Sequence, residues 1–375
     1  MLKHPLERLR NSFSEVEDAR AKNVSHLLID IIVLAICGVL SGADSWVEVE
    51  KYGQAKHWFF RAFLELPHGI PSHDTFGRVF SKIDPKQFRE GFFKSIKFIA
   101  NLIEQHVAID GKVLRRSHDK TNNLSALNMV SAWASKNRMV IGQEKVRDKS
   151  NEIVAIPILL DLIDIANCTV TIDAIGCQTE IVAIIIDSDA DYALALKKNQ
   201  LNLYETVKGL FDDPDEIEKR NCNYHKDINK GHGRIEVREC WATNDESYLN
   251  YIKNELGEWA GLQSLVMVQS ERRINGEVSV EKRYYISSLP PDAENLLNII
   301  RSHWGIENSL HWVLDMAFRE DESRVRQGHA AENFAIIRHL CLNLLKKETT
   351  AQCGIKAKRM LAGWDMNYLF KVLSG

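Results

Sequence analysis

Between His106 and Lys198 the chain repeatedly changes its hydrophobic period, and the order of those changes constrains the fold more than anything else in it. HVAIDGKVL, ALNMVSAWAS and RMVIGQEKV are short β-rich runs separated by polar turns, which suits three successive strands of a meander. A helical period follows in SNEIVAIPILLDLID, then a strand in CTVTIDA, a helix in QTEIVAIIIDSD and a strand in YALALK. The succession β-β-β-α-β-α-β predicts a mixed sheet with helices packed on it, an α/β domain.

The flanking segments read differently. Residues 1–104 are helical in pattern. Ser25 is the expected cap of a helix through HLLIDIIVLAICGVL that ends near Gly42. The apolar run Leu27–Leu40 has about 14 residues, short of the roughly 18–20 that span a bilayer, so it reads as a buried helix. Around LPHGIPSHDTFGRVFSKID, Pro71 and Ser72 are suitable helix-start residues with Asp74 in the first turn. The segment fits a DNA-contacting helix-turn-helix or an ordinary Gly-Pro turn in a helical bundle. Residues 201–291 carry charged loops and β-like runs (GRIEVRECW, SLVMVQSERRI, KRYYISSL) and are expected to form a β-rich insertion. From 292 to 375 the pattern is helical again, with Asp292 capping ENLLNIIRSHWGIENSLHWVLDMAF.

Asp110 and Asp173 each close an apolar run, and Glu307 lies on the tryptophan-rich amphipathic segment downstream. Two strand-end aspartates and a helical glutamate are the ligand set with which a fold can hold two Mg²⁺ ions against a phosphodiester. The strand order matches the five-stranded ribonuclease H-like fold, in which the first and fourth strands are neighbours; that topology would bring Asp110 next to Asp173. On the helix, Ile306, Leu310, Val313, Leu314 and Ala317 form an apolar stripe. His303, Glu307, His311 and Asp315 recur every four residues on another face. A zinc site built from His303, Glu307 and His311 is a poor match, because an HExxH site has its two histidines four apart and these are eight apart. Trp304 and Trp312 are read as core packing ahead of base stacking. Cys222, His225, His232 and Cys240 fit no standard zinc finger.

The net charge of −3 argues against a uniformly basic nucleic-acid binder, yet leaves room for a local basic face. Seven scattered cysteines without a CxxC pair suggest free thiols in a reducing compartment. The polar start, MLKHPLERLRNSFSEVEDARAK, is unlike a signal peptide, so a cytoplasmic protein is expected.

Taken together, AIDGKVLRRS, TIDAIGCQ, ALALKKNQ, GHGRIEVRE and RSHWGIENSLHWVLDMAFREDESRVR resemble the H-repeat-associated insertion-sequence transposases of the DDE superfamily. The resemblance runs from the helical N-terminal region to near the C-terminus. It implies Asp110, Asp173 and Glu307 as the metal-binding acids, Mg²⁺ as the cofactor with Mn²⁺ able to substitute, and DNA ends and target DNA as partners. A homodimer in the active complex is implied as well. The chain departs from the superfamily's Tyr-x2-Arg-x3-Glu-x6-Lys signature, having Ile300, His303 and Leu314 at those positions. Arg301 and His303 are then the nearest candidates for the missing phosphate contacts. Arg234 and Arg238, which share a strand face with His232 and Glu236, are further candidate DNA contacts, as are Lys197, Lys198, Arg115 and Arg116. An inactive DNA-binding relic and a nuclease without strand transfer are the alternatives.

Overall fold

The computed structural model describes residues 5–20, 24–97, 106–118, 125–147, 151–231 and 233–374. His232 and the expected domain boundary at 104/105 lie outside the described residues. The architecture is mixed α/β, built on a nine-stranded sheet. Its strands are β1 (His106–Val113), β2 (Asn128–Ala134), β3 (Met139–Lys145), β4 (Thr169–Ile172) and β5 (Asp191–Leu196). They continue with β6 (Asn223–Gly231), β7 (Arg234–Thr243), β8 (Ser264–Ile274) and β9 (Glu277–Ser287). The spatial order is β3-β2-β1-β4-β5-β9-β8-β7-β6.

β1, β4 and β5 run parallel, and every other pairing is antiparallel. Val107, Ala108 and Ile109 are all fully buried. Such an unbroken apolar run marks a strand covered on both faces. Helices Glu152–Leu162, Thr179–Asp187 and Leu201–Asp212 cover one face. The other face receives the helix Ala293–Ile306 against β7–β9, and the helix Ala330–Lys347 against β3.

Two expectations change here. The strands of 201–291 extend the core sheet, because β9 pairs with β5 along Ala193–Leu196. The distal half of β8–β9 then projects as an exposed hairpin, turned by Asn275 and Gly276 at φ 50° and 88°. Asn-Gly suits that turn because both central residues need positive φ. The second change concerns the helix Leu28–Leu40, which Ser25 does not cap: its first residue follows Leu27, and no side chain caps it. Burial of nearly every residue stabilises this helix instead, from Asp30 through Leu40. Ser72 does act as expected, accepting the Thr75 N–H at the start of helix His73–Phe80.

The N-terminal helices share one apolar core with the C-terminal ones. Phe60, Phe76, Phe80, Phe88 and Phe92 join Phe334, Ile337, Leu340 and Leu369 in a cluster that reaches Trp133 in the sheet. Among the described residues, no helix is long and apolar enough to cross a membrane.

Candidate active site

β1 and β4 set the two aspartates side by side. Their parallel register pairs Ile109 with Ile172, so Asp110 and Asp173 occupy the next position on neighbouring strands. Only Asp173 ends its strand. Asp110 was expected at a strand end but lies within β1, because the antiparallel partner β2 continues the ladder to Val113. Asp173 caps a short helical turn, accepting the Ile175 N–H at 3.1 Å, which fixes its carboxylate. Gly111 follows Asp110 for a steric reason: a Cβ there would collide with the Glu152 carboxylate.

Glu307 arrives from the opposite side. Asp292 caps helix Ala293–Ile306 by accepting the Glu294 and Asn295 N–H groups, both at 3.1 Å. Glu307–His311 is then a π turn, in which the Trp312 N–H donates to the Glu307 carbonyl, and helix Trp312–Phe318 continues beyond it. π turns are rare and often sit at functional sites. Ile306, Leu310, Leu314 and Ala317 are buried as the stripe predicts, and Glu307 stays exposed. The tryptophans depart from the expectation of core packing. Trp304 and Trp312 are 46% and 60% exposed, since they point away from that stripe.

Asp110, Asp173 and Glu307 line one cleft of about 440 Å³, together with Thr171, Lys197, His303 and Trp304. Burial pushes the Asp110 carboxyl up to about 7, with Glu307, Asp173 and Glu152 adding like-charge repulsion. Ligand atoms of Asp110, Glu307 and His311 lie within 4.8 Å of one another, the only such metal-capable group among the described residues. Two carboxylates and an imidazole this close suit a divalent cation, which would relieve the repulsion at Asp110; Asp173 lines the same cleft but lies outside this group. His303 takes another role: its Nδ1 is 2.9 Å from Thr171 Oγ1, which also lies 2.7 Å from His106 Nε2.

Lys112 and Glu152 are site residues that sequence reasoning passed over. Lys112 Nζ bonds the carboxylates of Asp315 and Glu320, the latter at 3.1 Å, and the His311 carbonyl at 3.4 Å. It therefore ties β1 to the far side of the π turn. The DGK triplet held the signal for Lys112. For Glu152, a single acid at a helix start gave none.

A basic groove adjoins the cleft. It has about 670 Å³ of space and is lined by Arg234, Arg238, Arg272, Arg283, Arg301 and Trp304, with Glu236, Glu271 and Glu281 among them. Arg283, Tyr285, Ile300 and Trp304 border both cavities, so the two are continuous. Arg234 and Arg238 do share a face, with Glu236 between them, 3.2 Å and 2.5 Å away. Arg301 pairs with Asp227. Arg283 stacks over the Trp304 ring at 5.1 Å. Lys197 lines the acidic cleft and Lys198 is exposed just beyond it. Arg115 is exposed and lies 3.2 Å from Asp321, while the carbonyl of exposed Arg116 accepts from Arg326. Of the signature positions, Leu314 is core and Ile300 nearly so.

Residues 102–344 match the family model described as the transposase DDE domain, and residues 10–95 match its associated N-terminal model. The H repeat-associated protein YhhI of Escherichia coli (strain K12) is 37% identical over 379 residues, covering 99% of this chain and 98% of YhhI. YncI of Escherichia coli O157:H7 is 38% identical over 378 residues, or 98% of this chain and 95% of YncI. At the level of fold, a piggyBac transposase solved in a synaptic complex with hairpin DNA superimposes with a TM-score of 0.51 at 11% identity. The match covers 98% of this chain and 81% of that one. The chain belongs to the DDE-domain transposase family, in the group of H-repeat-associated insertion-sequence transposases.

Proposed function

We propose that this chain cleaves DNA at the ends of an insertion sequence and joins the freed ends to target DNA, using a ribonuclease H-like core. Asp110, Asp173 and Glu307 are the acids that hold the metal ions. The observation that carries this reading is the convergence of three carboxylates in a cleft that opens directly into an arginine-lined groove. The raised Asp110 carboxyl supports it, since burial first and the neighbouring carboxylates second disfavour its charge, and a cation would offset both. When bound, Mg²⁺ or Mn²⁺ would activate the attacking oxygen and stabilise the leaving one in an in-line displacement.

The chain's own groups divide the remaining work. Asp173 is held in place by the Ile175 N–H, and Glu307 approaches from a helix anchored on the sheet. Lys197 reaches the scissile region from the end of β5. The arginines of the groove meet phosphates on the strand leading away: five arginines line it against Glu236, Glu271 and Glu281, so positive charge remains in excess there. Arg238 also has a buried Nη1 without a hydrogen-bond partner. Arg115, Arg116, Lys198 and Arg301 are further contacts in this reading, whereas His303 is engaged by Thr171. Two element ends call for two active sites, hence a homodimer in the active complex.

The test is cleavage of a DNA fragment carrying the cognate ends, in Mg²⁺ and in Mn²⁺. Asp110→Ala, Asp173→Ala and Glu307→Ala should each abolish cleavage while DNA binding persists. Full cleavage by Asp173→Ala would overturn the assignment. Binding by the unaltered chain without nicking in either metal would identify an inactive copy, a reading that buried Leu314 favours because it offers no basic contact. Cutting without joining would identify a nuclease.

A further inference from the structure

His311 has an unusual environment for a buried histidine. The residue is 7% exposed, and its ring makes no hydrogen bond among the described residues; Nε2 is buried without a partner. Nδ1 faces the Asp110 carboxylate at 3.7 Å, too far for a hydrogen bond and close enough for both groups to share a small cation. The same ring lies within the group of Asp110 and Glu307 whose ligand atoms all fall inside 4.8 Å. His106 satisfies both ring nitrogens with Ser135 and Thr171, and buried His339 leaves its Nδ1 unpaired, but the only metal-capable group among the described residues contains His311 and neither of them. This one is buried, unpaired and aimed at two carboxylates.

We infer that His311 is a nitrogen ligand in the cation site of Asp110 and Glu307, and that it makes the site favour Mn²⁺ over Mg²⁺. The inference rests on the metal-dependent reading of the cleft given above. The π turn places both residues: Glu307 opens it and His311 closes it, so one local distortion delivers two ligands to the same point. Lys112 holds the turn from behind through the His311 carbonyl. A ligating histidine also needs an acceptor for its other N–H. His311 Nε2 and Glu320 Oε1 are both without a hydrogen bond and their residues line the same small cavity, so a small turn of the ring on cation binding would bring donor and acceptor together. The selectivity follows from donor chemistry. Mg²⁺ is a hard ion that prefers an all-oxygen shell and gives up its waters reluctantly, whereas Mn²⁺ also takes carboxylates but binds an imidazole nitrogen more readily.

The experiment is Mn²⁺ binding to the full chain without DNA, followed by calorimetry and by pulsed electron paramagnetic resonance. The unaltered protein should show ¹⁴N modulation from a coordinated imidazole, and His311→Ala and His311→Gln should lose it. Both variants should bind Mn²⁺ at least about 10-fold more weakly, with a smaller loss for Mg²⁺. Melting curves and circular dichroism of the metal-free variants check that they are folded, and His311→Gln, which keeps a polar side chain of similar size, carries the test if His311→Ala does not fold. Mn²⁺ bound without ¹⁴N modulation, but lost in Asp110→Asn and Glu307→Gln, overturns the His311 assignment and leaves the acidic site standing. Binding that none of these substitutions weakens, or no Mn²⁺ binding at millimolar concentration, overturns the site itself and the inference with it.

Discussion

At the scale of single residues, the site depends on a charge that is absent from the acidic triad. Lys112 sits two positions beyond Asp110 on β1, and its side chain is only 11% exposed. It neutralises Glu320, which is 1% exposed and whose carboxyl Lys112 and Arg338 hold below the usual range despite burial. Removing one partner of a buried ion pair leaves the other charge uncompensated, which costs about 3–5 kcal/mol. Lys112→Met should therefore destabilise the protein by that order in denaturant melts. It should also loosen the π turn, since the ammonium bonds the His311 carbonyl. Lys112→Arg, which keeps the charge, should recover most of the stability; equal destabilisation in both variants would show that charge is not the reason. The triad behaves in the opposite way. Asp110→Asn removes a carboxyl crowded by Glu307 and Asp173, so the metal-free protein should melt no lower than the unaltered one. Its cleavage should nevertheless fall by more than about 100-fold, since even outer-shell partners of metal ligands cost 10–100-fold.

At the scale of elements, Glu348 shows how a chain end is pinned. It follows helix Ala330–Lys347, accepts the Thr350 N–H at 2.6 Å and the Tyr368 hydroxyl at 2.7 Å, and lies 3.5 Å from Lys358. These hydrogen bonds pull its carboxyl down to about 2 against the cost of burial. A depressed folded-state value means that the contribution is present above the unfolded value of about 4.3 and is lost as pH falls towards 2. Glu348→Gln should thus cost about 1–3 kcal/mol at pH 7 and almost nothing near pH 2, which thermal melts across that range can read. A cost that does not change with pH would assign the effect to packing. Elements also divide what was legible in the sequence from what was not. The strands and α-helices of the His106–Lys198 series were readable, because each is an apolar run with polar boundaries, although Ile153–Leu160 is apolar throughout and shows no helical period. The strand Asn223–Gly231 was not, since it is mostly exposed and its pattern NYHKDINKG has no apolar face to betray it. Nor was the π turn, because Glu307 and His311 are four apart in either kind of helix and spacing alone cannot separate them. The joining of β9 to β5 is a pairing between strands some 90 residues apart, and no local pattern records it.

At the scale of the whole molecule, the N-terminal helices are part of the structure that carries the site. Phe76 and Phe80 pack on Trp46, which also contacts Phe334 of the C-terminal helix Ala330–Lys347, and Asn333 of that helix donates to the Phe80 and Ile83 carbonyls. Truncating the chain before β1 would strip this core, so surface substitutions are the sound test of where DNA is read. Two surfaces are expected to behave differently. Replacing Arg234 and Arg238 with alanine should weaken binding to all sequences alike. It should also reduce the slope of log affinity against log salt by roughly 0.9 for each phosphate no longer neutralised, because every neutralised phosphate releases condensed counterions. Arg78 sits exposed on helix His73–Phe80, whose opposite face is held down by Phe76, Val79 and Phe80. A helix anchored on one side and presenting polar side chains on the other can enter a groove without disturbing the fold. Arg78→Ala should then leave the melting temperature unchanged and cost about 1–3 kcal/mol of discrimination between cognate ends and random DNA. Competition binding at fixed salt measures that ratio. If Arg78→Ala discriminates as well as the unaltered chain while the Arg234, Arg238 double variant does not, sequence is read from the groove beside the cleft and the N-terminal helices serve only to buttress it.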